Sequence, residues 1–187
     1  EVALAELGLG ATSAGKLDVV VGGLGLGYTA ATALADDRVK RLRTIDAEAA
    51  VIGWHRDALV PLGAQLRDDP RSQFVHGDFF AIARDAERGF SLDDPDARCD
   101  VLLLDVDHSP SYWLNPAHAP FYSAQGLTRM REQLEPGGVF ALWSNEPVDE
   151  GFMTVLGTVF NSTDAQVVAF DNPYSGAAST NTIYLAT

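Results

Sequence analysis

The feature that most constrains this chain is a short apolar run that leads directly into a cluster of glycines. Residues 17–21 read Leu-Asp-Val-Val-Val, and residues 22–27 read Gly-Gly-Leu-Gly-Leu-Gly. The apolar run predicts a β-strand. The glycines predict a tight turn, because glycine adopts positive φ and lets backbone segments approach closely. With a helix expected over Tyr28–Leu34, the unit places the free N–H groups of a helix N-terminus beside whatever the turn holds.

The rest of the chain alternates between β-rich runs and helix-like stretches. Helices between the first five runs predict a parallel sheet with right-handed crossovers. Turn residues 171–176 separate the last two runs, so the last strand should run antiparallel. We therefore predict one Rossmann-like α/β domain over residues 1–187, with the class I methyltransferase fold: a mostly parallel seven-stranded sheet with an antiparallel last strand and helices on both faces. The later runs are residues 41–45, 73–75, 101–104, 139–143, 166–170 and 182–185.

Caps and breakers give approximate helix boundaries. Pro61 is expected to end one helix, and the Pro-Gly-Gly of residues 136–138 to stop another. The chain opens in helix-like residues 2–7, from which we expect an N-terminal portion to precede residue 1. The remaining predicted helices cover residues 47–59, 79–87, 123–134 and 152–160.

The composition describes one acidic globular domain. The chain has 187 residues, and 13 Lys and Arg against 26 Asp and Glu give a net charge of −13. This acidity argues against nucleic acid, whose phosphates require a basic face, and favours a neutral or cationic substrate. The single cysteine, Cys99, allows no intramolecular disulfide. With no apolar stretch of about 20 residues and no basic leader, a cytoplasmic protein without a membrane partner is expected. No Cys/His cluster occurs, so no metal is expected.

The spacing of the glycines restricts the ligand of the turn. A dinucleotide fingerprint requires G-x-G-x-x-G, but Tyr28 stands at the sixth position counted from Gly23. The pattern present is G-x-G-x-G at Gly23, Gly25 and Gly27, which fits a nucleoside without a pyrophosphate. These residues and Gly22 are predicted to bind a cofactor of the S-adenosylmethionine type. The alternative is a tight strand-to-helix turn without a ligand.

Acidic residues follow the second and third strands. Asp46 lies about 20 residues past the glycine loop, where a carboxylate can accept both ribose hydroxyls; Glu48 is the fallback. At the sequence Gly77-Asp78-Phe79, the Asp78 carboxylate can accept the exocyclic amine of adenine and Phe79 can pack on its ring. The alternative for both aspartates is a helix N-cap.

The fourth strand ends in Asp105-Val106-Asp107-His108. Ligands of open α/β sheets bind at the carboxyl ends of strands, so these residues should face the site. Asp105 is the predicted catalytic residue, as a general base or as an anchor for a substrate amine. Asp107 and His108 are secondary, substrate-binding candidates. The aromatic and proline-rich residues 111–122 are either a lid, with Tyr112 and Tyr122 binding substrate, or a packed surface loop.

A set of short motifs occurs here in the order found in a known family. They are residues 19–29, Asp46, Gly77-Asp78, residues 103–107, Tyr122-Ser123 with Gly126-Leu127, residues 134–139 and Pro173-Tyr174-Ser175-Gly176. Together they resemble the spermidine synthase (polyamine aminopropyltransferase) superfamily, and more closely its bacterial spermidine synthase-like branch. The resemblance implies that Asp46 binds ribose, Asp78 lies near adenine, and Asp105 deprotonates an amine such as putrescine. That amine displaces the aminopropyl group from the sulfonium of decarboxylated S-adenosylmethionine.

Departures from the family pattern keep the reaction open. Gly25 stands where the family usually carries an aspartate, and Asp-Val-Asp-His replaces Asp-Ser-Ser-Asp at residues 105–108, which moves the second substrate-binding position to His108 or Asp107. The family's N-terminal β domain is not in this sequence. The hypotheses are an aminopropyltransferase, a small-molecule methyltransferase that uses S-adenosylmethionine itself, and a non-catalytic binding protein. The expected partner is a small-molecule amine or another small substrate, and a homodimer is left open.

Overall fold

The computed structural model describes residues 1–85, 89–90, 97–171 and 178–187. Within them the chain alternates between strands and helices. The strands are β1 Leu17–Gly22, β2 Val39–Asp46, β3 Ser72–His76, β4 Cys99–Leu104, β5 Leu134–Ser144, β6 Thr163–Asp171 and β7 Ala178–Ala186. The α-helices are α1 Val2–Gly10, α2 Tyr28–Leu34, α3 Ala49–Arg56, α4 Gly63–Asp68, α5 Phe79–Arg84, α6 Ala124–Arg131 and α7 Glu150–Val159, and a 3₁₀ helix covers Pro116–Tyr122.

The strands form one seven-stranded sheet in the order β3-β2-β1-β4-β5-β7-β6. β7 runs antiparallel to both of its neighbours, β5 and β6, and the other pairs are parallel. The predicted mostly parallel sheet with an antiparallel last strand is confirmed, and each predicted run lies inside an observed strand. The predicted turn over residues 171–176, and with it the Pro-Tyr-Ser-Gly motif, lies outside the described residues from 172 onward.

Helices cover both faces of the sheet because its central strands are apolar on both sides. In β4, Val101 and Leu103 pack toward the core beneath α1 and α2, whereas Leu102 and Leu104 pack toward the core beneath α5 and α6. All four side chains are fully buried. Burying each contributes about 1.5–3 kcal/mol, so a continuous apolar run is stable only in this central position.

Helix ends depart from the predictions where tertiary contacts decide them. The helix predicted over residues 47–59 is too long, because α3 ends at Arg56 and Ala58 adopts a positive φ of 55°. Beyond Pro61 the chain forms a helix that was not predicted, α4. Gly63 allows this reversal: a Cβ there would lie 2.9 Å from His55 O.

The predicted helix over residues 123–134 starts correctly and ends too late. Ser123 caps α6 by accepting a hydrogen bond from Gly126 N at 3.1 Å. The helix ends at Arg131, and Leu134 already pairs with Cys99 as the first residue of β5. The Pro-Gly-Gly at 136–138 therefore forms an irregularity inside β5 rather than a helix stop. The helix predicted over 79–87 is observed as α5, which ends at Arg84, and residues 86 and 87 lie outside the described residues. The helix predicted over 152–160 is observed as α7.

No helix in the described parts of the chain is both long enough and apolar enough to cross a membrane. The carboxyl ends of β1, β2, β3 and β4 meet at one edge of the sheet. The glycine loop and the predicted acids follow these strand ends, so this edge is where the candidate site lies.

Candidate active site

The glycine loop between β1 and α2 has the backbone conformation that its spacing predicts. Gly23, Gly25 and Gly27 have φ angles of +91°, +47° and +90°, which residues with a side chain rarely adopt. A Cβ at Gly23 would lie 2.1 Å from the carbonyl oxygen of Asp105, so only glycine fits there. Nothing lies within 4 Å of a Cβ added at Gly25, and this residue borders open space.

Two polar side chains hold the loop in place. Asp46 Oδ2 accepts a hydrogen bond from Leu24 N at 2.9 Å, and its Oδ1 accepts one from Glu48 N at 2.8 Å. His55 is fully buried and its Nε2 lies 3.0 Å from Gly25 O; because a carbonyl only accepts, this nitrogen carries the proton. The N-cap residue of α3 is Glu48, so the alternative role of Asp46 as that cap is wrong.

A cleft of about 480 Å³ opens beside this loop. It is lined by six of the predicted residues: Gly23, Gly25, Asp46, Asp78, Phe79 and Asp105. The other lining residues are Ile45, Ala47, Glu48, Val51, Phe80, Val106, Leu114, Asn115 and His118. Four of these described lining residues are acidic and none is Lys or Arg, so the cleft favours a cationic ligand.

Three predicted glycines lie behind the cleft wall rather than on it. An added Cβ would meet core side chains at 2.7 Å at Gly22 and at 2.5 Å at Gly27, so both positions require glycine for packing. Gly77 N donates a hydrogen bond to Asp46 O at 3.0 Å and joins β3 to β2 at the edge of the site. Cofactor contacts from these three glycines stay predictions.

Asp78 and Phe79 begin α5 at the cleft. Oδ1 of Asp78 accepts hydrogen bonds from Phe80 N at 2.9 Å and Ala81 N at 3.2 Å, so the predicted N-cap is confirmed. Its Oδ2 has no hydrogen-bond partner among the described residues and is free to accept from a ligand. Phe79 is only 4% exposed and stacks on Phe90, so its ring belongs mainly to the core and offers an edge to the cleft.

Asp105 is the carboxyl group in the cleft whose pKa is shifted from its ordinary value. Its backbone N donates to Gly22 O at 2.8 Å, which fixes the residue beside the glycine loop. The carboxylate has no hydrogen-bond partner among the described residues. Burial, with a smaller contribution from the nearby Glu1 carboxylate, raises the pKa of Asp105 to about 6. A carboxyl group that titrates near neutral pH can take up and release a proton during a reaction.

Asp107 lies two residues after Asp105 in sequence but behind the cleft wall. Its side chain is fully buried and accepts hydrogen bonds from Leu114 N at 2.8 Å, His118 Nδ1 at 2.9 Å and Tyr122 OH at 2.9 Å. Burial and the Asp107 carboxylate raise the pKa of Tyr122 well above its ordinary value, so this hydroxyl stays a donor. Asp107 and Tyr122 thus hold together the segment that follows β4. Their contact with substrate stays a prediction.

The other two predicted substrate-binding residues stand outside the cleft lining. The rings of His108 and Tyr112 stack with centroids 5.1 Å apart, and Tyr112 is 63% exposed. His108 also lies 3.3 Å from Asn145 through its Nδ1. Substrate contact from this pair stays a prediction. The predicted lid over residues 111–122 does contribute Leu114, Asn115 and His118 to the wall.

His118 is a cleft residue that the sequence did not point to. Its ring stacks on Phe80 with centroids 3.8 Å apart and an interplanar angle of 22°, and its Nδ1 is engaged by Asp107. No spacing pattern in the sequence links His118 to these two partners. Asp107 lies eleven residues before it, and Phe80 lies much further away in sequence. His55 was missed for the same reason, since its contact with Gly25 spans 30 residues. In the described part of the chain, no group of three or more His, Cys, Asp or Glu could hold a metal ion.

The strand order and the site at the switch between β1 and β4 define the class I S-adenosylmethionine-dependent methyltransferase fold, which spermidine synthases share. Among solved structures, spermidine synthase from Thermotoga maritima matches 98% of this chain with a TM-score of 0.71 and 20% identity. A spermidine synthase in complex with the transition state analogue AdoDATO matches 98% with a TM-score of 0.74 and 21% identity. Human methyltransferase-like protein 13, in complex with SAH, matches 100% with a TM-score of 0.71 and 16% identity.

These likenesses show the fold. The chain spans 57% and 58% of the two spermidine synthase chains, and 81% of the human methyltransferase-like protein. No family model matches the chain, and no curated protein matches its sequence. The resemblance read from the motifs is thus confirmed at the level of structure, and the reaction is not decided by it.

The glycine loop yields a first prediction about stability. Gly23→Ala should cost about 3 kcal/mol or more of unfolding free energy, because the new Cβ meets the Asp105 backbone as well as an unfavourable φ. Gly25→Ala is the matched control: it has the φ cost alone, about 1–2 kcal/mol. Urea unfolding measures both. Equal losses in the two variants would contradict the close approach of Gly23 to Asp105.

A second prediction concerns the protonation of Asp105. In the free protein its carboxyl carbon resonance should titrate with a midpoint of about 6, because burial disfavours the charged form. The resonance is assigned by its loss in Asp105→Asn. A midpoint near the ordinary value of about 3.9 in the free protein would contradict the buried environment.

Proposed function

We propose that this domain binds an S-adenosylmethionine-type nucleoside in the cleft and transfers an alkyl group from its sulfonium to a small amine. The observation that carries the proposal is Asp105, a half-buried carboxyl group that lines the cleft without a hydrogen-bond partner among the described residues and whose pKa is raised to about 6. Its position next to the glycine loop supports a role at the reacting end of the nucleoside rather than at the adenine.

The polar groups of the cleft are suited to the parts of such a nucleoside. Asp46 ends β2 with each carboxylate oxygen engaged once, which leaves each a further lone pair for a ribose hydroxyl. The free Oδ2 of Asp78 is suited to the adenine amine. The apolar side chains of Val51 and Val106 supply contact for the flat base. The acidic lining stabilises the positive sulfonium.

Asp105 would act on the acceptor amine. An amine attacks only as the free base, so Asp105 removes its proton, and the nitrogen lone pair then forms the new C–N bond. The sulfonium of the nucleoside supplies the electrophilic carbon and departs as a neutral thioether that keeps the electrons of the broken C–S bond. Because the leaving group is already good, most of the acceleration must come from aligning the nitrogen with the carbon.

The transferred group proposed first is aminopropyl, from decarboxylated S-adenosylmethionine to a polyamine such as putrescine, with a role in polyamine biosynthesis. The motif set and the likeness to spermidine synthases support it. A second candidate is methyl transfer to a small molecule from S-adenosylmethionine itself. Gly25 favours this alternative, because no side chain lies within 4 Å of its Cβ position and the usual acid is missing. A binding protein without catalysis is the third reading.

Isothermal titration calorimetry with both nucleosides tests the proposal. At least one should bind with a Kd on the order of 1–100 μM. Asp46→Asn should weaken binding by about 10-fold, because it removes an ionised acceptor from the ribose. Asp57→Asn is the matched control, an exposed aspartate outside the cleft. If neither nucleoside binds, both transferase readings are wrong. If only the carboxylated form binds, methyl transfer replaces aminopropyl transfer.

A transfer assay with putrescine, read out as methylthioadenosine, tests the role of Asp105. Asp105→Asn should lower kcat by about 10²–10⁴-fold, the usual contribution of a general base. Its affinity for neutral methylthioadenosine should be unchanged, because that product carries no charge for Asp105 to stabilise. Asp57→Asn serves again as the control. A fully active Asp105→Asn variant would remove Asp105 as the base.

A further inference from the structure

The segment after β4 presents a second polar group to the cleft, built from Asp107 and His118. The two side chains form a carboxylate–imidazole pair in which His118 Nδ1 lies 2.9 Å from Asp107 Oδ1 and 3.1 Å from Oδ2. Asp107 is fully buried behind the wall, whereas His118 lines the cleft. The pair therefore links a buried negative charge to a ring that faces the ligand space.

The pair fixes the tautomer of the imidazole. A carboxylate only accepts hydrogen bonds, so His118 Nδ1 carries a proton and, in the neutral ring, Nε2 keeps its lone pair. Nε2 has no hydrogen-bond partner among the described residues. It is not one of the fully buried polar atoms that lack a partner, so it is not fully buried. Nδ1 is engaged by the buried Asp107 and His118 lines the cleft, so Nε2 is the ring nitrogen that is left available to a ligand.

The ring is also held rigidly. His118 stacks on Phe80 at 3.8 Å, and Asp107 is itself fixed by Leu114 N and Tyr122 OH. An imidazole locked in orientation and tautomer, with one nitrogen free toward a cleft, is organised to bind a ligand.

The surrounding charge selects the kind of ligand group. Nε2 accepts a hydrogen bond, so its partner must be an N–H or O–H donor. With the ring neutral, the negative charge of the Asp107 carboxylate is the charge of the pair, and the described cleft lining has four acids and neither Lys nor Arg. A positively charged N–H donor is therefore favoured over a neutral hydroxyl.

We propose that His118, oriented by Asp107, binds an amine group of the acceptor substrate through Nε2. This rests on the proposed function and assigns its acceptor site. His118 is here a substrate-binding residue that holds the acceptor while Asp105 takes the proton, and Asp107 is the positioning residue that acts through it. The chemical class of acceptor is an amine that carries an ammonium group besides the one that reacts.

The test uses binding as well as turnover. Calorimetry follows putrescine binding to the protein saturated with methylthioadenosine. His118→Ala should weaken putrescine binding and raise its KM about 10-fold or more, because a hydrogen bond to a charged group is lost. The change in kcat and in nucleoside affinity should stay small. His118→Gln, which can offer an amide oxygen in place of Nε2, should recover part of the affinity.

The control is His76→Gln, which removes an exposed imidazole outside the cleft lining and should leave putrescine binding unchanged. Thermal unfolding of each variant shows whether it is folded, and His118→Gln serves if His118→Ala is not. If the wild-type protein binds neither nucleoside, the proposed function is wrong. Normal nucleoside binding with no putrescine binding, or with equal putrescine affinity in wild type and both His118 variants, would overturn the assignment of His118 alone.

Discussion

The contact between the carboxyl ends of β1 and β4 is the constraint on which the site depends. Asp105 N donates a hydrogen bond to Gly22 O at 2.8 Å. Gly23, which follows Gly22, passes so close to the Asp105 carbonyl that no side chain fits there. β1 has β2 on one side and β4 on the other, so the chain leaves the sheet in opposite directions at this point and a crevice opens. The glycine loop and Asp105 share one edge because these two strands are neighbours.

Two carboxylates, one half-buried and one fully buried, shape the two sides of the crevice by accepting hydrogen bonds from backbone N–H groups. Asp46 holds the glycine loop through Leu24 N, and Asp107 holds the segment after β4 through Leu114 N. Each acid therefore has a structural role that its place at a strand end does not reveal. Asp105 differs from both, since its carboxylate has no hydrogen-bond partner among the described residues. Its carboxylate is therefore available to a ligand.

The sequence predicts best what depends on short-range patterns. The strands follow from apolar runs such as residues 101–104, and the loop follows from glycine spacing that has a direct backbone cause. Helix ends are predicted less well, because the end of α3 depends on Gly63 packing against the backbone of His55. The contacts of His118 are beyond local patterns altogether. Its ring reaches Asp107 and Phe80 only after the 3₁₀ helix folds back against α5.

The electrostatics of the cleft would link the binding of a cationic ligand to the protonation state of Asp105. Burial keeps the pKa of Asp105 near 6 in the free protein, and a sulfonium bound nearby favours the carboxylate. Because linkage is reciprocal, ionised Asp105 binds the sulfonium more tightly, so affinity should rise as pH passes upward through this pKa. In the proposed reaction, transfer would convert the sulfonium to a neutral thioether and remove that attraction as Asp105 gains a proton. In this proposal the ionised Asp105 would favour entry of the cationic nucleoside, and its protonation would leave the neutral product without that attraction, whichever alkyl group is transferred.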